Sequence, residues 1–388
     1  MSGTPYWLDA PYEPRAPLAA DVEVEVCVIG AGVGGLSCAR RLAQHGIDTL
    51  VLERGTVAGG ASGRNGGFLL AGIAAFHVDA RERLGPERAR LIYRRTLEAQ
   101  REIYDLAAEL GAQDAVRRTG LLRASASEEE AEHVRRQAEA LRADGFPAEL
   151  VERAELPAAL RRSAFNGCLT ENDGTLHPAR WIRLLAEAAE RAGARICEGT
   201  PARAPRDGEL ETPAGRVRAR HVVVAADGAL PELVPFYEGR VRARRLHMVA
   251  TAPFGERVLE RPVYSRWAFE YVQQTPDGRL LAGGFSDLDG PGSYTDRDEG
   301  APAVWDRIER WLHEDLGVEA DVTHRWVGTV GYSDDGLPYA GAVPGEPWLY
   351  VLGGYCGHGN VPGYLAGREL ADLIAGVPDV RPLFDADR

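Results

Sequence analysis

The chain has 388 residues, with 58 acidic side chains against 45 basic ones and a net charge of −13, and every one of the bases is arginine. Without lysine the chain cannot supply a pyridoxal Schiff base, a P-loop amine or a lysine nucleophile, and the acidic balance argues against a nucleic-acid or anionic-membrane surface. Five cysteines, Cys27, Cys38, Cys168, Cys197 and Cys356, form no C-x-x-C pair and no zinc spacing, so no metal site and a reducing, cytoplasmic setting are expected.

The length suggests two or three domain-sized units. The first ten residues have no basic and apolar leader pattern. Val22, Val24, Val26 and Val28 alternate into Ile29 as a strand, Leu36 to Gly46 follows with helical spacing and a glycine stop, and Leu50 to Glu53 reads as the next strand. A strand, glycine turn, helix and strand in that order is a βαβ unit of a parallel sheet. From Ala80 to Gly145 the pattern becomes long, charged, alanine-rich helices, one of them opened by a capping box of Ser127 and Glu130.

Pro178 to Ala192 is a further helix with Trp181, Leu184, Leu185 and Ala188 on one face, and Arg195 to Glu198 and Val222 to Ala226 are strands. Between Val241 and Phe285 longer strands are expected, with Trp267, Phe269 and Tyr271 alternating along one of them and Asp277-Gly278 turning a hairpin. Pro347 to Gly367 carries no charge, but six glycines and two prolines break it. It reads as a loop-rich strand-to-helix segment, and no membrane span is expected.

Gly30-Ala31-Gly32-Val33-Gly34-Gly35 contains G-x-G-x-x-G between a strand and a helix, and Glu53 follows about 20 residues on, as a dinucleotide fingerprint requires. Gly30 permits the tight turn, Gly32 lets a diphosphate approach the helix N-terminus, and Gly35 allows close helix–strand packing. Glu53 suits the two adenosine ribose hydroxyls and would repel a 2′-phosphate, which argues against NADP at this site. NAD and FAD both satisfy this pattern. The loop Gly59-Gly60-Ala61-Ser62-Gly63-Arg64-Asn65-Gly66-Gly67-Phe68, rich in free amides and short polar side chains, favours a flavin, since a nicotinamide enzyme has no need of it there.

These residues carry a resemblance. The chain resembles the D-amino-acid oxidase-like family of FAD-dependent amine and amino-acid oxidoreductases, and within it the gamma-glutamylputrescine oxidoreductase branch, through Gly60-Ala61-Ser62-Gly63-Arg64-Asn65-Gly66-Gly67. Further matches are Tyr6-Trp7, Pro17-Leu18, Asp173-Gly174-Thr175 with His177-Pro178, Val222 to Gly228, Arg325-Trp326-x-Gly328, Asp335-Gly336-x-Pro338-x-x-Gly341 and Gly357-His358-Gly359. The resemblance implies an α/β fold: a glutathione-reductase-like FAD-binding Rossmann domain over 1–82, 160–235 and 326–388, and a mostly antiparallel α+β substrate domain over 83–159 and 236–325. It implies FAD contacts from Gly30, Gly32, Gly35, Glu53, Arg54, Ala61, Ser62, Asn65, Gly66, Gly67 and the backbone of Ala202. Gly357, His358, Gly359, Asn360 and Val361 would run under the flavin pyrimidine, where a following helix N-terminus favours negative charge; packing for shape is a competing role for His358.

Three departures from the family bear on chemistry. Sarcosine-oxidase-like members carry FAD on a cysteine where this chain has Gly328, so FAD is expected to be non-covalent. Glycine-oxidase-like members hold the substrate carboxylate with an arginine-proline pair where this chain has Thr329-Val330, and the carboxylate-binding lysine of sarcosine-type members is replaced by Val361. With both anchors gone, the expected substrate is an amine, or an amino acid whose carboxylate lies far from the reacting carbon. The implied reaction is hydride transfer from the carbon beside an uncharged amine to flavin N5, giving an imine that water hydrolyses.

His247, Tyr264, Trp267, Tyr271 and His358 are the candidate catalytic and pocket residues, with an ordinary core as the competing reading of the aromatic stripe. Arg242, Arg244 and Arg245 are candidates for a remote carboxylate, and a solvated strand edge explains them equally. The expected partners are a small-molecule amine or amino acid and oxygen or another electron acceptor. The competing functions are a D-amino acid, glycine or N-methyl amino acid oxidase, and a flavoprotein that only relays electrons. Lacking the lysine that sarcosine-type relatives use near N5, the chain is expected to react slowly with oxygen.

Overall fold

Val22–Ile29 is a strand whose last four residues are buried, as an apolar β-branched run in a parallel sheet should be. It pairs in parallel with Thr49–Leu52 and with Gly215–Val224, so that Ile29 stands opposite both Leu52 and Val224. The seven-stranded sheet runs in the order Tyr339–Val343, Glu346–Gly353, Gly215–Val224, Val22–Ile29, Thr49–Leu52, Arg195–Cys197, with Glu209–Thr212 antiparallel to Gly215–Val224. The helix Val33–Gln44 connects the first two strands and packs on Asn360–Ile374 and Pro178–Arg191. Close approach of the first pair depends on small residues: a Cβ on Gly367 would lie 2.2 Å from the Gly34 carbonyl oxygen, and Ser37 Oγ donates to the Tyr364 carbonyl at 2.7 Å. Pro178–Arg191 buries Trp181, Ile182 and Leu185 completely, each worth about 2–3 kcal/mol of apolar transfer.

The computed structural model of the protein describes residues 3–388. The chain divides into two compact units. The parallel sheet belongs to the unit made of Ala10–Arg64, Pro178–Arg244 and Thr329–Arg388. The other contains the N-terminal segment ending at Asp9 with Asn65–His177 and Arg245–Gly328. Its eight-stranded sheet runs Val322–Ser333, Val241–Thr251, Leu280–Gly284, Glu270–Gln274, Val263–Ser265, Leu121–Ala124, Asn166–Thr170, Glu149–Glu152. Leu280–Gly284 pairs antiparallel with both Val241–Thr251 and Glu270–Gln274, as Asn166–Thr170 does with Leu121–Ala124 and Glu149–Glu152, whereas Val263–Ser265, antiparallel to Glu270–Gln274, runs parallel to Leu121–Ala124. The unit also holds a three-stranded sheet, Phe68–Leu69, Gly174–Leu176, Val116–Arg117, and the helices His77–Leu84, Pro86–Glu109, Glu128–Ala143 and Pro302–Arg310. The fold is thus α/β with a second, mostly antiparallel α+β unit.

Several local expectations meet a different outcome. The segments 65–82, 160–177 and 326–328, assigned above to the dinucleotide domain, cluster with the second unit, as does the chain up to Asp9, whereas 236–244, assigned to the substrate domain, clusters with the parallel-sheet unit. Trp267 and Phe269 are not on a strand: Arg266, Trp267 and Ala268 all have left-handed φ (48°, 56° and 65°), and the strand begins only at Glu270. Alternating aromatics signal a strand only where the backbone stays extended, and a turn held by side chains overrides the pattern. The capping box is half formed. Ser127 Oγ accepts from Glu130 N–H at 3.1 Å, whereas the Glu130 carboxylate accepts from Ala126 N–H at 2.7 Å and Trp267 N–H at 2.6 Å. Among the described residues no helix is long and apolar enough to cross a membrane.

Candidate functional site

In the parallel-sheet unit the glycine turn leaves the C-terminal edge of the sheet between three strands. Gly30 N–H donates to the Leu52 carbonyl and Ala225 N–H to the Ile29 carbonyl, both at 2.8 Å. Gly30 has φ +107°, and a Cβ there would come 2.5 Å from the Ala225 oxygen; one on Gly35 would come 2.1 Å from the Gly30 oxygen. The glycines are therefore required by the turn itself. Ser62 Oγ accepts from Val33 N–H at 3.0 Å, and a Cβ on Gly32 would lie 2.9 Å from that oxygen. Gly32 supplies no side-chain cap to the helix, whose N-terminal end is left as a seat for an anion.

Glu53, immediately after the second strand, accepts from Ala31 N–H at 2.9 Å through Oε2 and from Gly55 N–H at 2.8 Å through Oε1. A carboxylate has about four lone-pair sites, so two bonds leave acceptors over for ribose hydroxyls. Thr200 N–H donates to the Glu53 carbonyl at 2.8 Å, which ties the 200–202 loop bearing Ala202 to this edge. Arg54 is largely exposed, 3.9 Å from Glu232. Ala61–Arg64 is a single helical turn, with Arg64 Nε donating to the Gly59 carbonyl at 2.8 Å.

Two acids that sequence reasoning missed, one buried and one half-buried, hold this edge together. Glu198, 1% exposed, accepts from Tyr12 Oη at 2.8 Å, from Arg15 N–H at 2.7 Å and from Val57 N–H. Asp227 accepts from Gly331 N–H at 2.9 Å and Gly354 N–H at 3.0 Å, so one carboxylate ties the strand Val322–Ser333 to the glycine loop after Glu346–Gly353; burial pushes its pKa up and those amides oppose the shift. The D-G pair directly after the Val222 to Ala226 run was the signal for Asp227. Glu198, at the end of a short strand, left none.

Beyond Gly354 the chain passes through Gly357, exposed with φ +77°, and His358, whose N–H donates to the Tyr355 carbonyl at 2.9 Å. Gly359 is the N-cap of Asn360–Ile374, in whose first turn Val361 is 1% exposed. Cys356 is buried, burial pushes its thiol up, and its Sγ lies 3.4 Å from Ser333 Oγ. It fills space as a protonated thiol.

The second unit holds the remaining candidate residues. Asn65 Oδ1 accepts from Gly67 N–H at 2.9 Å, and Trp7 Nε1 donates to the Asn65 carbonyl at 2.8 Å. Gln273 donates to the Gly66 and Gly67 carbonyls. Phe68, Tyr264 and Tyr271 form one aromatic group, with ring centres 4.8 to 5.8 Å apart. Trp267 stands elsewhere on its turn, against His133 at 4.7 Å and Phe76 at 5.9 Å.

His247 belongs to a different environment again. It is fully buried, its Nε2 accepts from Ala301 N–H at 2.7 Å, and its ring meets Trp305 edge-on at 5.5 Å. Burial, helped by the Arg245 charge, lowers its pKa to about 4, so it is neutral at pH 7. The arginines proposed for a remote carboxylate are engaged within the protein: Arg242 with Asp334 at 3.2 Å, Arg245 with Asp289 at 2.6 Å, and Arg244 over the Tyr332 ring at 5.1 Å. Arg245 is nearly buried with its partner.

The sequence matches the family described as DAO, FAD dependent oxidoreductase, over residues 25–373. It is 29% identical over 390 residues to a probable oxidoreductase OrdL of Rhizobium meliloti (strain 1021), covering 95% of this chain and 88% of that one. It is 26% identical over 378 residues to the gamma-glutamylputrescine oxidoreductase of Escherichia coli (strain K12), covering 94% and 87%. The fold matches the crystal structure of glycine oxidase from Geobacillus kaustophilus with a TM-score of 0.77 at 24% identity, over 93% of this chain and 98% of that one.

Proposed function

The chain belongs to the DAO family of FAD-dependent oxidoreductases, and from that premise we propose that it oxidises the carbon–nitrogen bond of an amine whose carboxylate lies far from the reacting carbon, of the gamma-glutamylputrescine type. One observation carries the choice of substrate. The pair Thr329-Val330, with Thr329 half-buried and Val330 8% exposed, and Val361, 1% exposed, stand where relatives that bind an α-carboxylate are expected to place a cation, and none of the three is one. An ionised carboxylate beside those side chains would be desolvated without a partner, at a cost of several kcal/mol. The likeness to the gamma-glutamylputrescine oxidoreductase over 94% of the chain supports the same choice.

The residues present fit FAD. The N-terminus of Val33–Gln44, where Gly32 brings no side chain and Ser62 Oγ takes only the Val33 amide, offers a positive dipole end to a diphosphate, and the spare lone pairs of Glu53 suit ribose hydroxyls. Gly357–Asn360 opens a second helix N-terminus. When bound, FAD supplies a two-electron acceptor for the C–H bond beside nitrogen. The chain's own part is to orient the substrate and exclude water. Phe68, Tyr264 and Tyr271 form a wall adjoining Gly66, in which two hydroxyls can accept a hydrogen bond and the ring faces can hold the carbon chain. Neutral His247 accepts the Ala301 amide and positions the 301 loop rather than moving a proton.

The test is a specificity panel on the FAD-loaded protein with an artificial electron acceptor: a gamma-glutamylated diamine, the free diamine, glycine, D-alanine and sarcosine. The expected result is a kcat/KM for the glutamylated diamine at least about tenfold above every α-amino acid. Preference for glycine, D-alanine or sarcosine overturns the reading.

A further inference from the structure

Arg123 lies on Leu121–Ala124 directly opposite Tyr264 in the parallel pairing of that strand with Val263–Ser265. Its Cζ sits 5.4 Å from the Tyr264 ring centre and 4.9 Å from that of Phe76, which leaves the half-buried guanidinium between two aromatic faces. Among the described residues no carboxylate comes within ion-pair distance of it and no hydrogen-bond acceptor engages it. In the same unit Arg245 and Arg266 both hold aspartates.

The side chain lines a cavity with Gly72, Gln137, Thr170 and Asp173. Asp173 does not serve as its counter-ion at contact distance, because its oxygens accept from Ala71 N–H at 3.0 Å, Gln100 Nε2 at 2.9 Å and Thr170 Oγ1 at 2.5 Å. Ring faces offset part of the desolvation of a guanidinium and fix its plane, while its five donors remain unused. Asp173 acts on the guanidinium only through space, and a fork held between two rings with no bonded partner is the arrangement that a carboxylate ligand completes with two parallel charge-assisted bonds.

We propose that Arg123 binds the remote carboxylate of the substrate and so sets how far from the reacting amine that carboxylate lies. The assignment rests on the reading of the substrate as an amine with a distant carboxylate. Arg123 replaces Arg242, Arg244 and Arg245 in that role, since their charges are engaged elsewhere.

The test is calorimetric binding to the FAD-loaded protein of glutarate and of its uncharged counterpart glutaramide. Wild type is expected to bind glutarate at least about tenfold more tightly than glutaramide. R123Q should lose that preference, and R123K, which keeps the charge but not the fork, should retain only part of it. Equal affinity of wild type for the two probes, no binding of glutarate, or an unchanged preference in R123Q overturns the assignment. If R123Q does not fold, an undiminished preference in R123K overturns it as well. Turnover separates this claim from the substrate reading. A KM for the glutamylated diamine that R123Q leaves unmoved removes Arg123 and keeps the substrate. A glutarate preference lost in R123Q, in a protein that oxidises no glutamylated amine, removes the substrate and keeps Arg123 as a carboxylate site.

Discussion

The Glu130 carboxylate accepts the Trp267 backbone N–H at 2.6 Å, and this bond joins the first turn of a helix to three consecutive residues with left-handed backbone. Each L-residue in that region costs about 1–2 kcal/mol, so the turn stands only because other contacts determine it. Arg266 holds Glu270 and Asp287, both at 2.8 Å, and Phe269 N–H closes onto the Arg266 carbonyl at 2.9 Å. Removing the acceptor with Glu130→Ala is expected to cost about 2–3 kcal/mol, read by urea denaturation, and Ala268→Gly is expected to raise stability by up to about 1 kcal/mol. An unchanged midpoint in Glu130→Ala would show that the turn is held without it.

Glu53 both closes the glycine turn and offers acceptors at the dinucleotide edge. Glu53→Ala is expected to weaken FAD binding by roughly 10- to 100-fold, measured from the fluorescence of flavin released on dilution. Gly35→Ala should be harsher, because its methyl would lie 2.1 Å from a backbone oxygen that cannot move independently of the turn. Full flavin retention by Glu53→Ala would contradict the placement of the ribose there.

His247 makes stability pH-dependent with a definite sign. Its folded pKa of about 4 lies below the ordinary 6.5, so the fold favours the neutral ring. The stabilisation is complete above pH 6.5 and is lost as pH falls from there through 4, reaching roughly 3 kcal/mol once both states are protonated. His247→Gln, which keeps an acceptor for Ala301 N–H, should flatten the stability profile between pH 6.5 and 4. Parallel profiles for the two proteins would rule out this source of acid sensitivity.

Gly328 is buried where a covalently flavinylated relative is expected to carry cysteine, so acid precipitation should leave all the flavin in the supernatant. With no lysine in the chain and Val361 buried after the G-H-G loop, the reduced protein should react slowly with dissolved oxygen. Stopped-flow reoxidation checks this, and rapid recovery of the oxidised flavin spectrum in air would contradict it.

The dinucleotide half was legible because its signals are local. Gly30, Gly35 and Glu53 lie within 24 residues of one another, and backbone crowding forces each glycine whatever the rest of the chain does. The substrate half was less legible because its determinants are long-range. Tyr264 and Tyr271 were singled out and do meet, since an antiparallel hairpin pairs them directly. Trp267 was misread as a strand residue, because the left-handed turn depends on Glu130, 137 residues away. His247 looked reactive by type, yet burial against Trp305 and a backbone amide makes it a neutral acceptor. Arg123 was invisible, since nothing in L-L-R-A announces a guanidinium left without an anion.

Anaerobic mixing of the FAD-loaded protein with one equivalent of a gamma-glutamylated diamine, followed at the flavin absorbance band, tests the central claim most directly. Full bleaching is expected, with one aldehyde formed per flavin after hydrolysis of the imine, and little bleaching by an equal amount of glycine or D-alanine. Bleaching by glycine or D-alanine with none by the amine, or no bleaching by any of them, would contradict it.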